Sequence, residues 1–375
     1  MICPHFKKCG GCSWLDAPYE EQLSIKKAKL EECLRVLPSC EVAEIIPAEE
    51  QYYYRNKMEF TFGGDAEELY LGQHYKDSFY RIENLSRCVL FDERIGVILD
   101  AVRNFAKNNK LAPYNPKTHE GFLRHLKVRT SKTGGGMMVI LVTAGKFDDG
   151  QGFADIFDEF PFVKSVYYGI NSRVSDIADC EEIFFLKGEE YLKETLGGVS
   201  FLISSESFFQ PNTVMSRKMY DCAKDIMKLK GGEYILDLYS GSGGIGLYVA
   251  KDVQYLYAVE MQGSSVSVFR RNLEENKIVN AEIIQGDVKK VLPLVKRDGF
   301  DFAFIDPPRS GMSRKAVKKA ISKHPENILF FSCKIETSVM NLLEFEKYGF
   351  RIKKAVPFDM FPQTPFMETV FLLGR

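Results

Sequence analysis

The chain has 375 residues, 45% of them hydrophobic and 27% charged, with a formal net charge of -1, enough to bury a large core and to form more than one domain. No run of 18 or more apolar residues occurs, and cysteines stand where a secretory signal needs an unbroken apolar stretch, so the chain is read as cytoplasmic with no membrane partner. A charge near zero gives no support to nonspecific polyanion binding, and nine cysteines in a reducing compartment read as thiols or metal ligands rather than disulfides.

The opening "MICPHFKKCGGCSWLD" puts Cys3, Cys9 and Cys12 in one short loop. "PYEEQLSIKKAKLEECLRVL" then has an amphipathic helical pattern, and residues 1–40 are taken as a cysteine loop plus helix. From Val42 to Ser204 the segments "MEFTFGG", "LYLGQHY", "GGGMMVILVTAG", "VKSVYYGIN" and "VSFLISS" are rich in β-branched and aromatic residues and punctuated by Gly, Asn and Asp. They predict a mainly antiparallel β-rich domain over 41–204. Within it, Ala101 to Thr133 carries eight cations (Arg103, Lys107, Lys110, Lys117, Arg124, Lys127, Arg129 and Lys132) against Glu120 alone. A solvated face accounts for such a run by itself; with the later "SRKAVKKAISK" it admits a polyanionic partner.

Past Glu206 the pattern changes. A helix through "MSRKMYDCAKDIMKLK" leads to "YILDLYS", "YLYAVE", "AEIIQGD", "FDFAFID" and "NILFFSC", strands alternating with helices. The predicted fold class is therefore α/β, with a Rossmann-like doubly wound, mostly parallel sheet over 205–375 behind the β domain. "RIKKAVPFDM" and "METVFLLGR" predict an antiparallel pair at the sheet edge.

"DLYSGSGGIG" (Asp237 to Gly246) follows a strand and opens a helix, the setting of a dinucleotide or adenosyl loop, where Gly241 lets the backbone approach a ligand. Glu260 ends the next strand, 23 residues after Asp237, where an acid can take ribose hydroxyls, and Asp287 ends the third. Acids at three successive strand ends suit adenosylmethionine better than a dinucleotide, which needs room for a pyrophosphate; an NAD site is the competing reading. "DPPRSG" (Asp306 to Gly311) and "FFSCK" (Cys333) end two further strands, so Asp306 and Cys333 should face one crevice with the cofactor. In methyltransferases acting on exocyclic amines an aromatic follows the two prolines; Arg309 stands there instead, which moves the reading toward a carbon acceptor. Pyrimidine carbon-5 becomes nucleophilic once a thiolate adds to carbon-6, and a base must then take the carbon-5 proton. Glu368, in "PFMETV", is the acid that sequence order best allows to reach back. The plainer reading of Cys333 is a packed core thiol.

Together "FFQPN" (Phe208 to Asn212), the glycine loop, "DPPRSG", "SCK" and the C-terminal "ET", in that order, resemble the bacterial RNA uridine-5 methyltransferases over nearly the whole chain. The resemblance implies Cys333 as nucleophile and Glu368 as base. It implies Gln210, Tyr239, Gly241, Glu260, Asp287 and Asp306 as residues around adenosylmethionine and the uracil. "YYRNK" and "FLRHLKVR" resemble the family's central domain and make Arg55, Arg124 and Arg129 candidate RNA or structural residues. Cys3, Cys9 and Cys12, with Cys88 in "SRCVLFD", have the spacing with which ribosomal members hold a [4Fe-4S] cluster; zinc is the other metal for four thiolates, and His5 lies in the same loop. Transfer-RNA members lack these cysteines, so a hairpin-loop uridine of 23S rRNA is the expected substrate, with no DNA partner and a monomeric chain. The short subfamily without an N-terminal oligonucleotide-binding barrel is the better match. "SCKIET" departs from the family's commoner "SCNPAT", which leaves the turn after Cys333 open. Competing functions are T-loop methylation of transfer RNA, a catalytically idle iron-sulfur RNA-binding protein with an adenosyl pocket, and an NAD-dependent oxidoreductase.

Overall fold

The structure is a computed structural model that describes residues 3–37, 40–65, 67–174 and 177–375. Helix α1 (Tyr19–Leu34) and the short strand β1 (Glu41–Val42) precede β2 (Lys57–Gly64), β3 (Leu69–Tyr75) and β4 (Ser78–Asn84). Helix α2 (Ile95–Asn108), β5 (Leu123–Thr130), β6 (Met137–Thr143), α3 (Gly150–Asp155), β7 (Val163–Ile170), β8 (Glu182–Gly188), β9 (Leu192–Leu196) and β10 (Val199–Ile203) follow. Helices and strands then alternate: α4 (Thr213–Met227), β11 (Tyr234–Leu238), α5 (Gly244–Val249), β12 (Tyr255–Glu260), α6 (Gly263–Asn276), β13 (Ala281–Gln285), α7 (Val288–Val291) and β14 (Phe300–Ile305). The chain ends with α8 (Arg314–Ile321), β15 (Pro325–Ser332), α9 (Ile335–Glu346), β16 (Arg351–Phe358) and β17 (Glu368–Gly374). Among the described residues no helix is long and apolar enough to cross a membrane.

Two compact units result: Met1–Leu15 with Glu50–Glu194 and Ile203–Glu206, and Asp16–Glu49 with Thr195–Leu202 and Ser207–Arg375. The first holds a seven-stranded sheet in the order β4-β3-β2-β5-β6-β7-β8. Its neighbours are antiparallel except β6 and β7, which run parallel. Alternation in β2 sends Met58, Phe60 and Phe62 into a core with Phe91, Ile95, Ile98 and Leu99 from the α2 region, the pattern expected of a strand with one face on a helix.

The second unit holds an eight-stranded sheet in the order β1-β16-β17-β15-β14-β11-β12-β13. From β15 to β13 every pairing is parallel, so the winding reverses between β11 and β14, where ligands sit in open α/β sheets. β17 is antiparallel to both β15 and β16. The predicted antiparallel pair is present, but its β16 does not close the sheet, because β1 adds outside it in parallel, Val42 opposite Ala355. Val42, which opens the β-rich segment in the linear reading, therefore belongs to the second unit's sheet. The helix grouped with the cysteine loop also belongs to the second unit.

Helix α1 buries Gln22, Lys26, Leu30 and Leu34, one stripe at four-residue spacing that is polar at one end. Leu30 and Leu34 join the core. The polar half clamps the segment before β17. The Lys26 ammonium pairs with the Asp359 carboxylate, both side chains being fully buried, and donates to the Phe361 carbonyl at 3.0 Å. Tyr19 donates its hydroxyl to Asp359 at 2.7 Å. Gln22 and Gln363 exchange hydrogen bonds of 2.9 and 3.0 Å, and Asn212 Nδ2 donates to the Met360 carbonyl at 3.1 Å. Removing one member of a buried pair leaves an uncompensated charge, whereas removing both does not. Lys26→Met should thus cost about 3–5 kcal/mol in urea unfolding, and Lys26→Met with Asp359→Leu should recover most of it. A double variant no more stable than the single one would show that the pairing is not what the clamp depends on.

Candidate active site

At the end of β11 the chain turns sharply. Tyr239 takes a left-handed conformation (φ 63°), unusual for an aromatic residue and typical of constrained sites, and its N–H donates to the Val259 carbonyl at 3.0 Å. Gly241 N–H donates to Glu260 Oε2 at 3.0 Å and Gln262 N–H to Oε1 at 2.7 Å. Two backbone donors thereby fix the Glu260 carboxylate at the tip of β12. A Cβ on Gly241 would meet nothing within 4 Å, whereas one on Gly246 would overlap Asp237 Oδ2. Gly241 thus borders open space, and Gly246 lets α5 pack against the strand. Asp237 is not a strand-end ligand as the sequence suggests: it lies inside β11, 2% exposed. Its Oδ2 and the Ser240 hydroxyl are buried without a hydrogen-bond partner among the described residues. Burial pushes the Asp237 carboxyl well above its ordinary range, with the charges of Asp306 and Glu260 adding to the effect.

Asp287 caps α7 by accepting from Lys289 N–H at 2.8 Å and pairs with Lys289 Nζ at 3.1 Å. The Lys289 backbone bond is the main cause of its lowered pKa. Tyr239 is close enough to feel it: burial and the Asp287 charge push the phenol up to about 12. Asp306 follows β14 directly, across the reversal point from Tyr239, and its Oδ2 accepts from Gln210 Nε2 at 3.3 Å. The Ser242 hydroxyl donates to the Phe208 carbonyl at 3.0 Å, tying "FFQPN" to the glycine loop. Gln210, Tyr239, Gly241, Glu260, Asp287 and Asp306 thus gather around the carboxyl ends of β11 to β14. The open space beside Gly241, bordered by the Glu260 carboxylate, fits an adenosyl ligand, whose hydroxyls and amines can partner the acids.

Cys333 follows β15, and Glu368 opens β17. The antiparallel register ends with Ser332 opposite Thr369, so Cys333 and Glu368 are the residues that flank its last pair. Burial, followed by the charges of Glu368 and Asp306 and against the opposing pull of Arg309, pushes the Cys333 thiol up to about 11. Burial also drives Glu368, 6% exposed, well above the carboxylate range, with Asp306 raising and Arg309 lowering it. The turn left open by "SCKIET" is closed by serines: Ser332 donates its hydroxyl to Ser338 Oγ at 2.6 Å, and Ser338 donates to the Lys334 carbonyl at 3.1 Å. Tyr220 on α4 carries no sequence signal, yet it is buried and its pKa is raised by that burial and by Asp306, Asp237 and Glu368. It stands against the same acids.

The family model for tRNA (uracil-5-)-methyltransferase matches residues 184–375. An uncharacterized RNA methyltransferase of Clostridium tetani is 35% identical over 387 residues, covering 100% of this chain and 83% of the relative. The chain belongs to the RNA uracil-5-methyltransferase family. A second RNA methyltransferase, from Caldanaerobacter subterraneus, is also 35% identical, over 100% of this chain and 84% of its own length. The solved structure of Pyrococcus abyssi tRNA (uracil-54, C5)-methyltransferase in complex with S-adenosyl-L-homocysteine superposes with a TM-score of 0.79 at 29% identity. That match covers 97% of this chain and 85% of that one. The α/β methyltransferase fold expected from the sequence is thereby shown.

In the first unit the thiols of Cys3, Cys9, Cys12 and Cys88 are near enough for their charges to act on one another. Cys9 and Cys12 are buried, and burial pushes each thiol up to about 12. The charges of Cys3 and Cys88 act on both. Arg55, a candidate RNA residue, opposes that rise at Cys12 and Cys88 and so serves the thiol cluster. His5 is not left over as a ligand: Nδ1 bonds Glu83 Oε1 at 3.0 Å, and Nε2 accepts from Ser86 N–H at 3.1 Å, which pins the cysteine loop two residues from Cys88. Among the described residues no group of three or more His, Cys, Asp or Glu is arranged to hold a metal ion.

Half of the basic run of the first unit is buried: Arg103, Arg124, Lys127 and Arg129, while Lys107, Lys110, Lys117 and Lys132 are exposed. Arg103 donates to the Leu71 and Leu85 carbonyls at 3.3 and 2.9 Å, and Arg124 to those of Asn171 (2.8 Å) and Arg173. In "SRKAVKKAISK" Lys323 is buried on the Val295 carbonyl at 2.7 Å, while Lys315 and Lys318 of α8 face solvent.

The raised carboxyls leave a pH signature. Asp306 titrates at about 7 when folded, against 3.8 ordinarily, so between those values the unfolded chain binds fewer protons. The contribution to stability is complete below the lower value, declines as pH rises toward 7, and is level above. Asp306→Asn should remove that part of the decline in urea midpoints measured from pH 4 to 8; an unchanged slope would mean that Asp306 is not the buried acid described.

Proposed function

We propose that this enzyme methylates carbon-5 of a hairpin-loop uridine in 23S rRNA, using S-adenosylmethionine, with Cys333 as nucleophile and Glu368 as base. The observation that supports the reading is that Cys333 and Glu368 flank the last pair of the β15–β17 register, with the charges of Glu368 and Asp306 acting on the Cys333 thiol. Adenosylmethionine, when bound, supplies an electrophilic methyl group. Gln210, Tyr239, Gly241, Glu260, Asp287 and Asp306 would hold it. The target base leaves its stack to reach the crevice. Cys333, as thiolate, adds to carbon-6, carbon-5 takes the methyl group, Glu368 removes the carbon-5 proton, and the carbon–sulfur bond breaks to return the thiolate.

Glu368 must be ionised to act, although burial favours its neutral form. A cation held among these acids lowers their pKa values. Once transfer has removed that positive charge, Glu368 regains proton affinity at the step where it takes the proton.

Ribosomal RNA is favoured by the four mutually interacting thiols. Cys3, Cys9, Cys12 and Cys88 would hold a [4Fe-4S] cluster, in which each iron takes one thiolate and the sulfurs need not converge on a single ion. There the cluster would tie the N-terminal loop to the segment around Cys88 and take no part in methyl transfer. The T loop of transfer RNA is the second reading, favoured by the Pyrococcus abyssi enzyme's similarity over 97% of the chain.

Cys333→Ala should abolish methylation while retaining RNA binding, and Glu368→Gln should accumulate a covalent RNA adduct that migrates slowly on a denaturing gel. Substantial turnover by Cys333→Ala would remove the mechanism. Labelled methyl donor offered with 23S rRNA and with transfer RNA should label the former; labelling of transfer RNA alone would move the substrate to the T loop. Protein purified without oxygen should carry iron with visible absorption, both lost in Cys12→Ser. Iron-free, colourless protein would remove the cluster.

A further inference from the structure

The hairpin of β3 and β4 breaks its own ladder. Tyr75 pairs with Ser78 across a two-residue turn, yet the next residue, His74, pairs with Ile82. Phe79, Tyr80 and Arg81 are therefore looped out. The loop is held in place, because Ser78 Oγ accepts from the N–H groups of Tyr80 and Arg81, each at 3.3 Å. Nor is the hairpin tip loose: Gly10 N–H donates to the His74 carbonyl at 3.0 Å and Lys76 N–H to the Lys8 carbonyl at 2.8 Å.

This bulge presents aromatic rings to solvent. Phe79 is 56% exposed and Tyr80 59%, on the edge strand of the sheet, where exposed apolar groups invite aggregation unless they are used. The rings are ordered against neighbours. Phe79 stacks on His74 with centroids 5.2 Å apart and planes at 13°, and meets Tyr80 edge-on at 5.5 Å. Cations complete the patch: Lys117 Nζ lies 4.3 Å over the Tyr80 ring and the Arg81 guanidinium 4.1 Å over Tyr75. Acids border the patch as well: Asp77 lies in the turn, and the Glu83 carboxylate accepts from Tyr75.

We propose that the Phe79–Arg81 bulge is a stacking platform for unpaired bases of the RNA substrate, with Arg81 and Lys117 taking adjacent phosphates. The inference rests on RNA being the substrate. Exposed rings flanked by cations match single-stranded RNA, whose bases offer π-faces and whose backbone is anionic. A duplex hides those faces, and a purely apolar protein partner would not match the cations.

The test uses the full-length protein and a fluorescein-labelled unstructured RNA of about a dozen nucleotides, with a blunt duplex of the same sequence in parallel. Phe79→Ala with Tyr80→Ala should weaken single-strand binding roughly ten- to a hundredfold and leave duplex binding and the thermal midpoint unchanged. Phe79→Trp with Tyr80→Phe should retain it. Arg81→Gln with Lys117→Gln should reduce the slope of log K against log salt by about 1.4. Single-strand binding within twofold of the parent in the double alanine variant would overturn the platform. Binding is read without turnover, so a failed Cys333 mechanism leaves this result interpretable.

Discussion

The reaction site depends on one strand that runs against its neighbours. In a purely parallel sheet every strand brings its carboxyl end to the ligand side, and a residue at a strand's beginning lies at the far edge. Because β17 enters antiparallel between β15 and β16, its first residue reaches the ligand side. Glu368 is thereby brought to the carboxyl end of β15, where its charge acts on Cys333. The segment before it must arrive at one height only, and that requirement explains why so much polar material is buried beneath it. Tyr19, Gln22 and Lys26 from α1 and Asn212 from "FFQPN" all hold residues 359–363. A slip of one residue in this register would turn Glu368 to the other face of the sheet.

The second constraint is electrostatic. Asp237, Asp306 and Glu368 share a small buried region, and burial is the leading cause of each raised pKa. Arg309 is the cation that acts on both Cys333 and Glu368, from an exposed position 6.0 Å over the Phe366 ring. Like charges crowded in a low-dielectric site keep their protons until a cation arrives. Burial and crowding therefore favour the protonated forms of the Cys333 thiol and of the Asp237 and Glu368 carboxyls. Under the proposed function, a positively charged methyl donor would lower these pKa values, and its loss of charge on transfer would favour the proton movement that follows.

Much of this was legible in the sequence because it resides in strand ends. The alternation beyond residue 206 fixes which residues follow which strands, and topology then collects Asp306, Cys333 and the glycine loop in one crevice. Glu368 was found by order alone; its partner in register needs the pairing of β17 with β15, which no local pattern encodes. Other features were misread for physical reasons. A cationic run cannot reveal that Arg103 and Arg124 are spent on buried carbonyls, and the apparent amphipathicity of α1 hides a buried Lys26 paired 333 residues away. Asp237 looks like a strand-end acid until the path of α5 over it is known. The three-residue bulge at Phe79 leaves no mark in the residue types, which favour strands whether paired or not.

The central claim is that Cys333 forms a bond to the base during methylation. RNA carrying 5-fluorouridine tests it directly, because the carbon-5 fluorine cannot leave as a proton and the adduct persists after methyl transfer. With S-adenosylmethionine present, the account predicts a denaturation-stable protein–RNA complex whose peptide map places the nucleotide on Cys333. RNA recovered wholly free, or attached at a different residue, would contradict it.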